Sequence, residues 1–83
     1  MSDDDVLRGV QEMAASVLGA DPAAVTEGAR FKEDLDADSL DLVEFVMALE
    51  DRFEVSVPEE ELEGIATVGD AVALLIDKMA ART

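Results

Sequence analysis

Apolar residues recur along the chain at the three- and four-residue spacing of amphipathic helices, and no segment has a strong strand pattern. The first such run spans about residues 4–18, and Gly19 is expected to end it. A second long helix is expected over about residues 39–53. A short helical turn should follow Pro58, and a last long helix should begin at Thr67. The predicted fold is all-α: a small four-helix bundle with three longer helices and one short helix.

Two pairs of residues have the spacing of helix-capping boxes. Asp38 lies immediately before the second long helix, and Asp41 follows it three residues later. Thr67 and Asp70 have the same spacing at the start of the last helix. Both starts are therefore expected to be fixed by side-chain hydrogen bonds to the backbone.

A long connection, about residues 20–38, joins the first two helices and contains a proline and a glycine that argue against continued helix. The residues expected to anchor it in the core are Val25, Phe31 and Leu35. The 54–57 segment alternates apolar and polar residues, but Pro58 ends it and no partner strand exists. We expect an extended linker there that buries Val55 or Val57.

The second long helix has apolar residues on two opposite sides. One side is a complete core face, formed by Leu42, Phe45, Val46, Leu49 and Phe53. The other side carries Leu40, Val43 and Met47, flanked by acidic residues. A domain of this size cannot bury both sides, so the second stripe is expected to be an exposed protein-docking surface. The alternative is that the 20–38 connection or the 54–66 segment covers Leu40 or Val43.

Charge favours a basic partner for this stripe. The 83 residues include 21 acidic and 6 basic ones, for a net charge of −15. Thirteen acids and a single base, Arg52, lie between Glu33 and Glu63. This balance excludes direct binding of a nucleic acid backbone and points to basic proteins or to cations.

Composition also narrows the chemistry. The chain has no cysteine and no histidine, so it has no disulfide, no thiolate metal site and no histidine general base. No apolar run approaches the ~18 residues of a membrane span, and residues 1–5 are acidic, unlike a secretory signal. We expect one domain over residues 1–83: a cytoplasmic, monomeric, non-catalytic binding or carrier module with no nucleic acid or membrane partner.

Ser39 is the candidate for chemical modification. It lies in the first turn of the two-sided helix, where unpaired N–H groups and the helix dipole favour a phosphate. It cannot act as a nucleophile unaided, so another enzyme would have to activate it. On the residues alone, a simple helix-capping role for Ser39 is the favoured interpretation.

Residues 31–54 carry a specific motif, F-x-E-D-L-D-A-D-S-L-D-x-V-E-x-V-M-A-L-E-x-x-F-E. This stretch closely resembles the acyl carrier proteins of bacterial type II fatty acid synthesis. The likeness continues through V-P-E-E-E at 57–61 and A-T-V-G-D-A at 66–71. It is strong over about residues 31–72 and agrees elsewhere in length and pattern.

The resemblance implies that Ser39 receives 4′-phosphopantetheine from coenzyme A through a separate phosphopantetheinyl transferase. The thiol of that group would hold acyl intermediates as thioesters, and in such proteins the acyl chain can enter the helical core. The implied partners are a ketosynthase, an acyltransferase, reductases and a dehydratase that dock through basic patches. The implied partner-contacting residues are Asp38, Leu40, Asp41, Val43, Glu44, Met47, Glu50, Asp51, Val57, Glu60 and Ile65.

One position departs from the family pattern. Asp36 stands where such proteins often have glycine, and an aspartate tolerates a positive φ better than most residues do. A polyketide or other secondary-metabolite pathway remains an alternative to fatty acid synthesis.

Two interpretations of another class also remain. One is an unmodified acidic interaction module. The other is a divalent-cation-binding module, for which Asp34, Asp36 and Asp38 have the spacing of an EF-hand start. The EF-hand loop fails because Ser39 stands where glycine is needed and Phe45 stands where glutamate is needed. Only weak, non-specific cation binding by the acidic clusters is expected.

Overall fold

The computed structural model describes residues 3–82 and shows a bundle of helices. The α-helices are α1 (Asp3–Met13), α2 (Ser39–Phe53), α3 (Glu59–Leu62) and α4 (Val68–Arg82). A π-helical segment, Ala14–Leu18, extends α1, and a short 3₁₀ turn spans Pro22–Ala24. Over residues 3–82 there is no strand, only an isolated bridge between Arg30 and Thr67. The all-α prediction is confirmed, and α2 has the predicted bounds.

The end of α1 differs in detail from the prediction. The five residues that follow α1, Ala14–Leu18, form a π-helix, which widens the turn. Gly19 then adopts φ +69°, and its N–H donates to the Ala14 carbonyl. The predicted stop at Gly19 is confirmed, since glycine enters the left-handed region without a steric penalty.

The core is aliphatic with a small aromatic centre. The ring centroids of Phe31 and Phe45 lie 5.3 Å apart, and the angle between the ring planes is 53°. Both side chains are almost completely buried. Aliphatic side chains from α1, α2 and α4 surround them, because α1 packs on both other long helices. Val57 of the linker is buried and Val55 is half-buried, as the linker prediction required. Within residues 3–82, no helix is long and apolar enough to cross a membrane.

The long connection is tied to the start of α4 by backbone hydrogen bonds. The Phe31 N–H donates to the Ala66 carbonyl (3.0 Å), and the Val68 N–H donates to the Ala29 carbonyl (2.9 Å). Val25 and Phe31 are buried as predicted, whereas Leu35 is only half-buried. The connection is therefore packed structure that leads into α2 from a fixed position.

Thr67 and Asp70 form the predicted cap at the start of α4. The Asp70 N–H donates to Thr67 Oγ1, and the N–H groups of Ala66 and Thr67 both donate to Asp70 Oδ2, each at 3.1 Å. These bonds, the one from Ala66 above all, hold the pKa of the Asp70 carboxyl below its ordinary value of 3.8. The cap therefore depends on an ionised Asp70.

We expect Asp70→Ala to lower the free energy of unfolding by about 1 kcal/mol at neutral pH, the usual cost of losing a cap. Because the folded-state pKa is depressed, this contribution is complete well above pH 3.8 and is lost as pH falls through the folded value. The difference in free energy of unfolding between wild type and variant should therefore shrink as pH falls from about 7 to about 3, and denaturant unfolding would measure it. The control is Asp77→Ala, an exposed position further along α4. A difference in free energy of unfolding that stays constant with pH would contradict the role of the ionised Asp70 in the cap.

Candidate functional site

The cap at the start of α2 leaves the Ser39 hydroxyl unused. The Asp41 N–H donates to Asp38 Oδ1 (2.8 Å), and the Asp38 N–H donates to Asp41 Oδ2 (3.2 Å), so these two residues complete a reciprocal capping box. The N-cap residue is Asp38. The capping interpretation of Ser39 is therefore wrong: its side chain is exposed and forms no hydrogen bond with the residues that the structure describes.

The backbone before Ser39 is held against the core. The Ala37 N–H donates to the Phe31 carbonyl (2.8 Å), and the Ala37 side chain is buried. Asp36 adopts φ +56°, the left-handed conformation that the sequence allowed for at this position. The turn is thus fixed on one side by the Phe31 anchor and on the other by the Asp38 cap. The backbone position of Ser39 is therefore well defined.

A cleft of about 230 Å³ opens beside Ser39, with walls from α2 and from the segment around α3. Its apolar lining residues are Leu42, Val43, Leu62 and Ile65. Its polar lining residues are Lys32, Ser39, Glu59 and Glu63. A second, shallower depression is lined by Lys32, residues 36–38 and Ser39 itself. An exposed hydroxyl next to a cleft with apolar walls and a polar rim suits a flexible group that has a polar and an apolar part.

The surplus apolar stripe of α2 is exposed. Leu40 is 66% exposed, Val43 37% and Met47 60%, whereas the opposite face of the helix is buried. Neither the 20–38 connection nor the 54–66 segment covers them, so the covered alternative is wrong. The predicted acidic rim is exposed at Asp38, Glu44, Asp51 and Glu60 and half-buried at Asp41. We call Leu40, Val43 and Met47, with Asp38, Glu44 and Asp51, the α2 face.

Val57, Ile65 and Glu50, which were expected to contact partners, also have roles in the fold. Val57 and Ile65 are each only 8% exposed, because the linker and the turn after α3 point these side chains into the core. Glu50 is half-buried, and its Oε2 accepts a hydrogen bond from the Val57 N–H (3.0 Å). Val57 and Ile65 therefore do not belong to an exposed docking surface. Glu50 orients the linker, and Ile65 lines the cleft.

The acidic spacing that suggested an EF-hand has a structural explanation. Asp34 Oδ2 accepts the Arg30 backbone N–H (2.8 Å) and also contacts Arg30 Nε (3.3 Å). The backbone hydrogen bond is the main reason why the pKa of Asp34 lies below its ordinary value. Asp38 is the cap of α2. In the described part of the chain, no three carboxylates are grouped so that they could hold a metal ion. Weak cation binding stays a prediction.

Comparison with known protein families agrees with this geometry. Residues 8–75 match the family described as "Phosphopantetheine attachment site", which is most of the chain. The chain therefore belongs to this family, and its cofactor is phosphopantetheine. The exposed Ser39 hydroxyl and the adjoining cleft fit such a group.

Two relatives of similar length are named acyl carrier proteins. The chain is 46% identical to the acyl carrier protein of Rubrobacter xylanophilus over 81 residues, which are 98% of this chain and all of the relative. It is 49% identical to that of Caulobacter vibrioides over 76 residues, covering 92% and 97% of the two chains.

Solved structures agree with these relatives. The acyl carrier protein of Thermotoga maritima superposes with a TM-score of 0.87 at 31% identity, covering 100% and 96% of the two chains. That of Enterococcus faecalis gives a TM-score of 0.77 at 35% identity, covering 94% and 99%. Within the phosphopantetheine family, this chain is similar to acyl carrier proteins over its whole length.

Proposed function

We propose that this chain carries acyl groups on a phosphopantetheine group attached to Ser39, and that it serves fatty acid synthesis. The observation that supports this most directly is the Ser39 hydroxyl, exposed at the start of α2 and left unused by the capping box of Asp38 and Asp41. The name shared by the relatives, acyl carrier protein, supports the acyl cargo. The role is that of a carrier rather than a catalyst.

Attachment requires a separate enzyme. The chain has no histidine that could activate the serine hydroxyl. A phosphopantetheinyl transferase therefore has to supply the base and the coenzyme A. This chain supplies the acceptor oxygen and the first turn of α2, whose backbone N–H groups favour a negatively charged phosphate nearby.

The bound group supplies a terminal thiol that can hold acyl groups as thioesters. The apolar walls of the cleft, Leu42, Val43, Leu62 and Ile65, offer shelter for the aliphatic part of such a cargo. A free thiol needs a reducing compartment, so we propose that the protein acts in the cytoplasm. It would work as a monomer, because self-association through the α2 face would hide the surface that enzymes must reach.

Partner enzymes are proposed to dock on the α2 face. The α2 face consists of three exposed apolar side chains next to carboxylates. Such a surface is complementary to an enzyme that has an apolar patch surrounded by basic residues. Such contacts give fast association and modest affinity, as a carrier that visits several enzymes requires. The transferase, ketosynthase, acyltransferase, reductases and dehydratase would share this surface in turn.

Charge reversal on the α2 face should impair docking. We expect Glu44→Lys to lower kcat/KM for loading by the transferase roughly tenfold at low salt, since an acidic rim residue mainly steers association. The effect should fall as salt rises, because the interaction is screened. Loading kinetics followed by mass spectrometry at two salt concentrations would measure it.

The matched control is Asp77→Lys, which makes the same change of charge at an exposed position of α4, outside the α2 face. It should leave kcat/KM within about twofold of wild type, because only overall charge has changed. Equal losses in the two variants would show that net charge, and not the α2 face, governs docking.

A further inference from the structure

Lys32 occupies an unusual position beside the attachment site. It lines both the cleft and the shallower depression that contain Ser39, and it is the single base among the residues lining these two spaces. It is exposed and forms no ion pair with the described residues. By contrast, Arg30, Arg52 and Lys78 each contact a carboxylate within 2.8 Å.

The surroundings of Ser39 are otherwise acidic. Carboxylates line the same two spaces and the adjoining pocket around Lys32: Glu33, Asp36, Asp38, Glu59 and Glu63. Arg30, in the adjoining pocket, is already paired with Glu33 and Asp34. A phosphodiester on Ser39 would add one more negative charge to this cluster, and like charges at short range repel. The available positive counterparts are the first turn of α2 and the ammonium group of Lys32.

We propose that Lys32 is a positioning residue that acts as the counter-charge of the phosphodiester on Ser39. A lysine ammonium is a compact point charge on a flexible stem, suited to follow a phosphate without fixed geometry. Its pairing offsets the repulsion from the neighbouring carboxylates and limits the directions in which the base of the group can lie. The inference rests on the proposed function, because it needs attachment at Ser39.

The test compares the melting temperatures of unloaded and loaded protein for wild type, Lys32→Met and Arg8→Met. Arg8 is an exposed base of α1 and does not line either space at Ser39, so its variant has the same loss of charge elsewhere. Intact mass verifies loading in each sample. At low salt, loading should lower the melting temperature of Lys32→Met by about 1–6 °C more than that of the other two, the range expected for an exposed ion pair in a small domain. This excess should shrink in about 0.5 M salt.

A second measurement reports on the phosphate itself. The ³¹P resonance of the phosphodiester should move in loaded Lys32→Met relative to wild type, stay in place in Arg8→Met, and return in Lys32→Arg, which restores the charge. Identical loading shifts in melting temperature and identical ³¹P resonances in all variants would overturn the role of Lys32 while leaving attachment at Ser39 intact. A wild-type chain that gains no mass would instead overturn the proposed function, and this inference with it.

Discussion

Ser39→Ala is expected to abolish phosphopantetheine loading completely while leaving the fold intact. Complete loss is expected because the acceptor oxygen is removed. Stability should change by less than about 0.5 kcal/mol, since the residue is exposed and the cap of α2 is formed by Asp38 and Asp41. Intact mass after incubation with coenzyme A and a broad-specificity transferase measures loading, and thermal unfolding measures stability.

The chain offers a matched control in Ser56, an exposed serine of the linker that also has acidic residues nearby. Ser56→Ala should load as fully as wild type. If Ser39→Ala instead lost its fold together with loading, the serine would have a structural role that the geometry of the cap does not predict. Loading retained in Ser39→Ala would show that the group is attached to another residue and that Ser39, at the start of α2, is not modified.

Phe45→Ala is expected to cause the largest loss of stability among single changes in α2. The side chain is fully buried, and its ring lies 5.3 Å from that of Phe31, which anchors the long connection. Truncating a buried phenylalanine costs about 3–5 kcal/mol through lost burial and the cavity left behind. That is a large part of the roughly 4–12 kcal/mol expected for a domain of this length. Denaturant unfolding would measure the change.

Met47→Ala is the natural comparison, because it lies two residues further along the same helix on the opposite side. Met47 is 60% exposed, so its truncation should change stability by less than about 0.5 kcal/mol. The pair thus separates the two faces of α2: one determines stability, and the other is free for partners. Similar losses in both variants would mean that the α2 face is covered in solution.

The sequence was sufficient to predict α2 and its two faces. An apolar stripe at one side of a helix is expected to be buried, but two stripes on opposite sides of one helix in a small domain cannot both be, and the structure exposes Leu40, Val43 and Met47. The caps were also predictable, because Asp38 with Asp41 and Thr67 with Asp70 have a spacing that directly fixes their hydrogen bonds.

Other features depend on tertiary contacts that local patterns do not encode. The burial of Ala29 and Ala37 follows from hydrogen bonds that tie the connection to α4 and to Phe31, and small residues give no strong hydrophobic signal. The π-helical end of α1 similarly has no signature in side-chain spacing. Burial of Val57 and Ile65 depends on where the linker and the turn after α3 lie relative to the bundle. Their assignment as partner contacts came from resemblance alone and stays a prediction, whereas the packing buries both side chains.

For Ser39, too, the local sequence pattern and the structure differ. Residue preferences favoured a capping serine, because serine is common at helix starts. The structure assigns that role to Asp38, one residue earlier, and so leaves the hydroxyl available. The spacing of Asp38 and Asp41 predicted their capping box, but only the hydrogen bonds show that Ser39 takes no part in it.

Locating the phosphopantetheine group on the loaded wild-type chain is the decisive test of attachment at Ser39. The protein would be incubated with coenzyme A and the transferase, digested, and its peptides fragmented in a mass spectrometer. We expect one phosphopantetheine per chain, carried by Ser39 within the 31–54 segment. A group found on Ser16, Ser56 or a threonine, or a folded chain with no mass gain, would contradict it.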